Sequence, residues 1–371
     1  MAHPAANPVV RLAACDCLTP FGDTTATHAA LLRGERALKP TPVLGREGGD
    51  AVPLALLPGR ALDETCPPAW LQQLATLLAP VAGGGWGTAR RPVCVTSSNF
   101  GVGSAYAFRR SGEIAHAGCG APHTSVELVR RALGWGENVA IFSHACVSAH
   151  LGLLHASRLL GVGAADEALV VSYDFLSPFV AGGFHALKIL NVDPPAPYQD
   201  RAVGSIGLGD GAAYAVLTRG RGDFALAAQN LHNEMYHFTA NRPDGAGFAA
   251  AFAPLVAAAA GRKLWVKGHG TGTLEAGRLE ATAVAQALPG APLVGWKGSL
   301  GHTLGSCGLV ELALAAASLR RGTAPGTVGS ASPTFTDTVA LAPFATAGFD
   351  GALCASNAFG GAHAALLLSH V

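Results

Sequence analysis

The sequence predicts an α/β protein built from two similar halves around a single core. Three observations carry that expectation. Short, almost wholly apolar runs alternate with helix-period segments, a strand–turn–helix pattern of the first half returns in the second, and no low-complexity linker divides the chain.

The apolar runs are RPVCVTSS (91–98), NVAIFSHA (138–145), EALVVSYD (167–174), AAYAVLTRG (212–220), KLWVKGHG (263–270) and PLVGWKGS (292–299). Strands that are apolar on both faces need cover on both, so the sheets are expected to lie between helices. The covering helices are read from SVELVRRAL (125–133), AHLGLLHASRLL (149–160), GRLEATAVAQAL (277–288) and GLVELALAAASLRRG (308–322). In the first half a run ending at Cys146 enters a long helix closed by GVG, and EALVVSYD follows. In the second, PLVGWKGSLGHT leads into GLVELALAAASLRRG, and a later strand ends at ALCASNAFGG. The join falls near residues 219–224, giving halves of 1–222 and 223–371 that share one core. AGGGWG at 82–87 is a loop too short to act as a hinge.

The 371 residues are 50% hydrophobic and 13% charged, with 48 glycines, which describes a well-packed globule with many tight turns. A net charge of +1 gives no electrostatic case for nucleic acid or an anionic membrane. The apolar window GFAAAFAPLVAAAAG (247–261) is too short to span a bilayer and contains Pro254, so it reads as a helix packed on a sheet. Eight scattered cysteines without ribbon or CxxC spacing predict reduced thiols, and MAHPAANPVVRLAACD lacks an export pattern; both point to the cytosol.

Cys146 stands where an apolar run stops and a helix pattern starts, so its sulfur is expected at a helix N-terminus. Free amides and the dipole there favour thiolate and lower a cysteine pKa. Downstream, His269 lies between glycines at a strand end in WVKGHGTGT, and His302 follows Lys297 by five positions in KGSLGHT. Phe359 precedes two glycines in ASNAFGGAH, a loop able to offer backbone N–H groups.

In that order, Cys, HGTGT, KxxxxH and FGG resemble the β-ketoacyl synthases, the condensing enzymes of the thiolase fold. LTPFG, ALLRGERALKP, SIGLGDGAAYAVL and MYHFT (235–239) extend the resemblance over nearly the whole chain. The resemblance implies a thiolase-like αβαβα five-layered body. It implies an acyltransferase that joins an acyl thioester carried on Cys146 to malonyl-acyl carrier protein, with loss of carbon dioxide, in fatty acid, polyketide or polyene synthesis.

The residue roles implied are these. Cys146 is the nucleophile, its N–H and that of Phe359 form the oxyanion hole, and Phe359 gates the pocket. His269 and His302 stabilise the enolate as neutral N–H donors, and Lys297 is the buried lysine that tunes the field. Glu280, eleven residues after His269, is the expected acidic partner of Lys297. Thr271 and Thr273 hold the phosphopantetheine arm, and Phe100 and Phe184 line the acyl pocket. No metal and no other cofactor is implied. The partners implied are acyl carrier protein and a second chain, as a homodimer or as a heterodimer with a related ketosynthase or chain-length factor.

The chain departs from the family pattern at Gly277, where an acidic residue is common, so a smaller polar network around Lys297 is expected. Asn357, Ala358 and His363 depart from it around the gate. Three rival readings fit the sequence less well. A silent chain-length partner usually lacks the nucleophile. A degradative thiolase needs a second cysteine as base, and neither Cys307 nor Cys354 has the required surroundings. A dinucleotide enzyme needs GxGxxG opening a helix after an early strand, a pattern that GVGSAYAF and GVGAAD fail.

Overall fold

The computed structural model describes residues 9–43, 50–63 and 65–371; the first eight residues, part of the segment read for export, lie outside them. Ten strands form one continuous sheet: β1 (Arg11–Leu18), β2 (Val93–Thr96), β3 (Val139–Phe142), β4 (Glu167–Asp174), β5 (Gly211–Thr218), β6 (Phe224–Asn233), β7 (Leu264–Lys267), β8 (Leu293–Val294), β9 (Gly351–Ala358) and β10 (Ala362–His370). Their spatial order is β3-β2-β4-β5-β1-β6-β10-β9-β7-β8.

The order is the same pattern written twice. β2 pairs parallel with β3 and β4, while β5 runs antiparallel to β4 and β1. In the second half β7 pairs parallel with β8 and β9, while β10 runs antiparallel to β9 and β6. The two sets meet only where Arg11 and Leu12 of β1 face Ala225 and Phe224 of β6.

Period-2 alternation assigns each strand one inward and one outward face. Ala168 and Val170 of β4, Ala213, Ala215 and Leu217 of β5, and Leu366 and Leu368 of β10 turn to the molecule's centre. There they pack on α3 (Ser148–Gly161) and α7 (Cys307–Arg321). Leu169, Val171 and Tyr173 of β4 turn outward, against α1 (Leu71–Leu78) and α2 (Pro122–Ala132). Leu353 and Leu367 do the same against α5 (Ala246–Ala259) and α6 (Leu274–Ala287). The result is sheets covered on both faces, as the alternation predicts, arranged as the αβαβα body that the resemblance implies. Burying each Leu- or Val-sized side chain contributes about 1.5–3 kcal/mol, and the central layer is the most completely buried part.

The alanine-rich window is a helix on a sheet, and it continues through Pro254. No helix among the described residues is long and apolar enough to cross a membrane. One expectation fails: Cys66 and Cys119, 53 residues apart and so invisible as a spacing motif, form a disulfide, while the other six cysteines are free.

Candidate active site

β3 delivers the chain into a tight turn before α3. Ala145 there has φ +44°, a left-handed conformation that costs a residue with a Cβ about 1 kcal/mol. Ser148 offsets that cost: its Oγ donates to the Ala145 carbonyl at 2.6 Å and accepts from the His144 N–H at 2.8 Å. Cys146 is thus held two residues ahead of the first helical residue, only 9% exposed, among Val147, Cys307, Ala358 and Ala362. The thiol is not lowered as the helix position predicts. Burial pushes it well above its usual value and Cys307 adds to this, while the Lys297 charge opposes.

His302 is fixed by its own backbone. Its N–H donates to the Gly207 carbonyl at 2.7 Å and its carbonyl accepts from Gly209 at 3.0 Å. Gly209 is required there, because a Cβ would come within 2.1 Å of the Leu300 carbonyl. The Leu304 N–H donates to His302 Nδ1 at 3.2 Å, which places the ring proton of the neutral imidazole on Nε2, aimed at Cys146 Sγ 3.0 Å away. His269 meets this ring edge-on, with centroids 5.0 Å apart and planes at 86°. One donor or acceptor atom from each of Cys146, His269 and His302 lies within 4.8 Å of the others. Burial first, and then the Lys297 charge, hold both imidazoles well below the ordinary histidine range. Both are therefore neutral near pH 7.

The counter-charge of Lys297 is Glu311, not Glu280. Lys297 Nζ lies 2.6 Å from Glu311 Oε1 and donates to the His269 carbonyl at 2.7 Å. Glu280 instead accepts from the backbone N–H groups of His269 (2.5 Å) and Gly270 (3.0 Å) and from the Tyr198 hydroxyl (2.8 Å). A side chain at Gly268 would strike that hydroxyl at 2.2 Å. The network around Lys297 is also larger than Gly277 led us to expect. Phe335 fills the space beside Gly277, and Lys267 joins Glu311 from the other side. Sequence reasoning missed Glu311, Lys267 and Tyr198. Glu311 left a signal: it is the lone charge in the otherwise apolar first three turns of α7, where an acid needs a buried partner.

A cavity of about 200 Å³ opens onto Cys146, His269 and His302. Thr271 and Thr273 line it with their hydroxyl oxygens 3.0 Å apart. Phe184, from α4 (Pro178–Ala186), stacks on Phe359 across it with centroids 6.0 Å apart, and Phe359 is 37% exposed. Phe100 is not a lining residue. It packs edge-on to Tyr173 in the outer cluster beneath α1, where aromatic burial wins over pocket placement. Around the gate, Asn357 donates to Asn241 at 3.2 Å, and the buried His363 lies 3.4 Å from Glu234.

Comparison with known proteins agrees with the fold. The family described as Beta-ketoacyl synthase, C-terminal domain, matches residues 225–331. The 3-oxoacyl-[acyl-carrier-protein] synthase 2 of Vibrio cholerae is 28% identical over 261 residues, 64% of this chain and 63% of that protein. The tetracenomycin polyketide synthase ketoacyl synthase alpha subunit of Streptomyces glaucescens is 30% identical over 217 residues, 53% of this chain and 51% of that protein. The chain thus spans between half and two thirds of the length of these curated relatives. Among solved structures, a ketosynthase in complex with its chain length factor from Xenorhabdus doucetiae superposes with a TM-score of 0.79 at 21% identity, over 100% of both chains. A β-ketoacyl synthase from Burkholderia phymatum gives 0.82 at 20% identity, over 98% of this chain and 100% of that one. Residues 225–331 thus match the β-ketoacyl synthase C-terminal domain, and the chain has the thiolase-like fold of the ketosynthases.

Proposed function

We propose that the protein catalyses a decarboxylative Claisen condensation, joining an acyl group carried on Cys146 to malonyl-acyl carrier protein to give a 3-oxoacyl product. The observation that carries this reading is the 3.0 Å approach of His302 Nε2 to Cys146 Sγ, with His269 presented at right angles to the same space. Donation from His302 Nε2 to sulfur favours the thiolate, which attacks the carbonyl of the incoming thioester; the carrier's phosphopantetheine sulfur leaves and takes up the proton that Cys146 gives up. The amides of Cys146 and Phe359 hold the oxyanion, a device whose donors are each worth about 3–4 kcal/mol in the barrier.

Once the acyl group is on sulfur, the two neutral imidazoles hold the enolate oxygen as the malonyl carboxylate leaves as carbon dioxide. The carbanion attacks the thioester carbonyl and Cys146 departs as thiolate. Decarboxylation itself supplies the carbanion, so the chemistry calls for no metal or redox group. Thr271 and Thr273 line the route along which a phosphopantetheine arm would approach, and Phe184 and Phe359 border the acyl end.

Acyl carrier protein is the proposed donor, acting on a cytosolic enzyme paired with a second copy of itself or with a related chain. A type II acyl-carrier protein is bound to its ketosynthase in one structural neighbour, at a TM-score of 0.82 and 17% identity. Intact-mass measurement after mixing with acyl carrier protein thioesters tests the reading. An acyl adduct on the wild type that is lost in Cys146→Ala supports it. No adduct with any donor favours a silent chain-length partner instead.

A further inference from the structure

Lys267, the last residue of β7, has no part in the reaction as set out above, yet it is fully buried among the groups that hold His269. Its Nζ meets Glu311, donates to the Gly268 carbonyl at 2.5 Å and lies 5.8 Å from the centre of the Trp296 ring. Lys297 takes the other oxygen of the same carboxylate and the next carbonyl along, that of His269. Glu280 takes the N–H groups of His269 and Gly270. The peptide units on both sides of His269 are therefore gripped by three buried ionisable groups, Lys267, Lys297 and Glu280, and Glu311 holds both lysines.

One ammonium would suffice to neutralise Glu311, and burying a second costs several kcal/mol. The count of charges gives the second a purpose. With both lysines the cluster is neutral; without Lys267 it holds one uncompensated negative charge behind the imidazoles. We propose that Lys267 is a positioning residue: it anchors the Gly268 carbonyl and balances the glutamates, so that His269 is presented as a neutral N–H donor. This rests on the condensing role proposed for His269.

The titratable and charged groups packed around His269 are Lys267 on β7, Glu280 on α6 with Tyr198 against it, and Lys297. Glu311 and Cys307 on α7, His302 and Cys146, and His150 on α3 complete the set. Burial, with the two lysines, pushes His150 down to about 3, so near neutral pH this imidazole adds no charge.

The test is the ring titration of His269 by NMR, with assignment by His269→Gln, in the wild type, Lys267→Gln and Lys267→Arg. Lys267→Gln keeps a donor for Gly268 but removes the charge, and His269 is expected to protonate about one pH unit higher or more. Lys267→Arg keeps the charge and is expected to titrate with the wild type. Should Lys267→Gln not fold, Lys267→Met paired with Glu311→Leu removes a charge of each sign and is expected to titrate with the wild type. An unmoved titration in Lys267→Gln, or a shift in the charge-balanced pair as large as about one unit, overturns the proposal. Carbon dioxide release from malonyl carrier protein by the wild type is measured alongside. Its absence counts against the condensing role, while the titration still decides the effect of Lys267 on His269.

Discussion

Lys297 reaches His269 through the backbone: its ammonium donates to the His269 carbonyl at 2.7 Å and pairs with Glu311 at 2.6 Å. The lysine therefore acts on the imidazole by charge and by anchoring, with no hydrogen bond to the ring. Glu311 is the link on which both buried ammoniums depend.

Removing that link should cost more than removing either end. Glu311→Gln leaves two buried ammoniums sharing a neutral amide, and a loss of about 3–5 kcal/mol in unfolding free energy is expected. Lys267→Met combined with Glu311→Gln should be less unstable than the sum of the two single changes. Urea unfolding of the four proteins measures this, and strict additivity would refute the shared-carboxylate picture.

The two steps of the proposed reaction should separate at His302. His302→Ala removes the Nε2–H from both sulfur and enolate but leaves Cys146 and its turn intact, so acyl loading should slow yet still reach completion while decarboxylation falls by about 10²–10³-fold. Loading is read by intact mass and decarboxylation by carbon dioxide release. Equal loss of both would count against the division of labour.

Phe184 and Phe359 narrow the cavity by stacking on each other. Phe184→Ala should open the acyl end and favour longer donors, each admitted methylene being worth about 1–3 kcal/mol of discrimination. Competition between acetyl and octanoyl carrier protein for Cys146 reports the shift. An unchanged ratio would place the chain-length boundary elsewhere.

Acid should destabilise the fold. His28, His150, His269 and His302 all titrate below their ordinary value, with burial the leading cause in each. Below about pH 6.5 the unfolded chain takes up protons that the folded one refuses, so stability falls as pH drops from there, by up to about 1.4 kcal/mol per unit for each histidine. Thermal melts between pH 7 and pH 4.5 should show the slope, and His150→Gln should reduce it. A melting temperature flat over that range would contradict the burial of these rings.

The fold was legible because its signals are local. Strands apolar on both faces require two covers, and the repeated strand–turn–helix pattern announces the duplication. Cys146, His269, His302 and Lys297 were legible for a different reason: each motif is weak alone, but Cys, HGTGT, KxxxxH and FGG in that order resemble the β-ketoacyl synthases. Glu311 and Lys267 were not, because what matters about them is their meeting across the core from α7 and β7. The same holds for the disulfide: Cys66 and Cys119 converge only after folding. Phe100 and Glu280 were misplaced because residue type fixes burial better than it fixes a partner.

The duplicated layout bears on tolerance to mutation. Cys146 belongs to the first half and both histidines to the second, yet the strands of the halves touch at only two residue pairs. The gap between sulfur and imidazole is therefore gauged by the central helices. At their contact, Gly308 of α7 faces His150 of α3, and even a methyl group on Gly308 would sit 2.7 Å from the ring. That spot works as a shim between two castings: thicken it by one carbon and the misalignment appears at the reacting atoms, without any change to the residues that line the cavity.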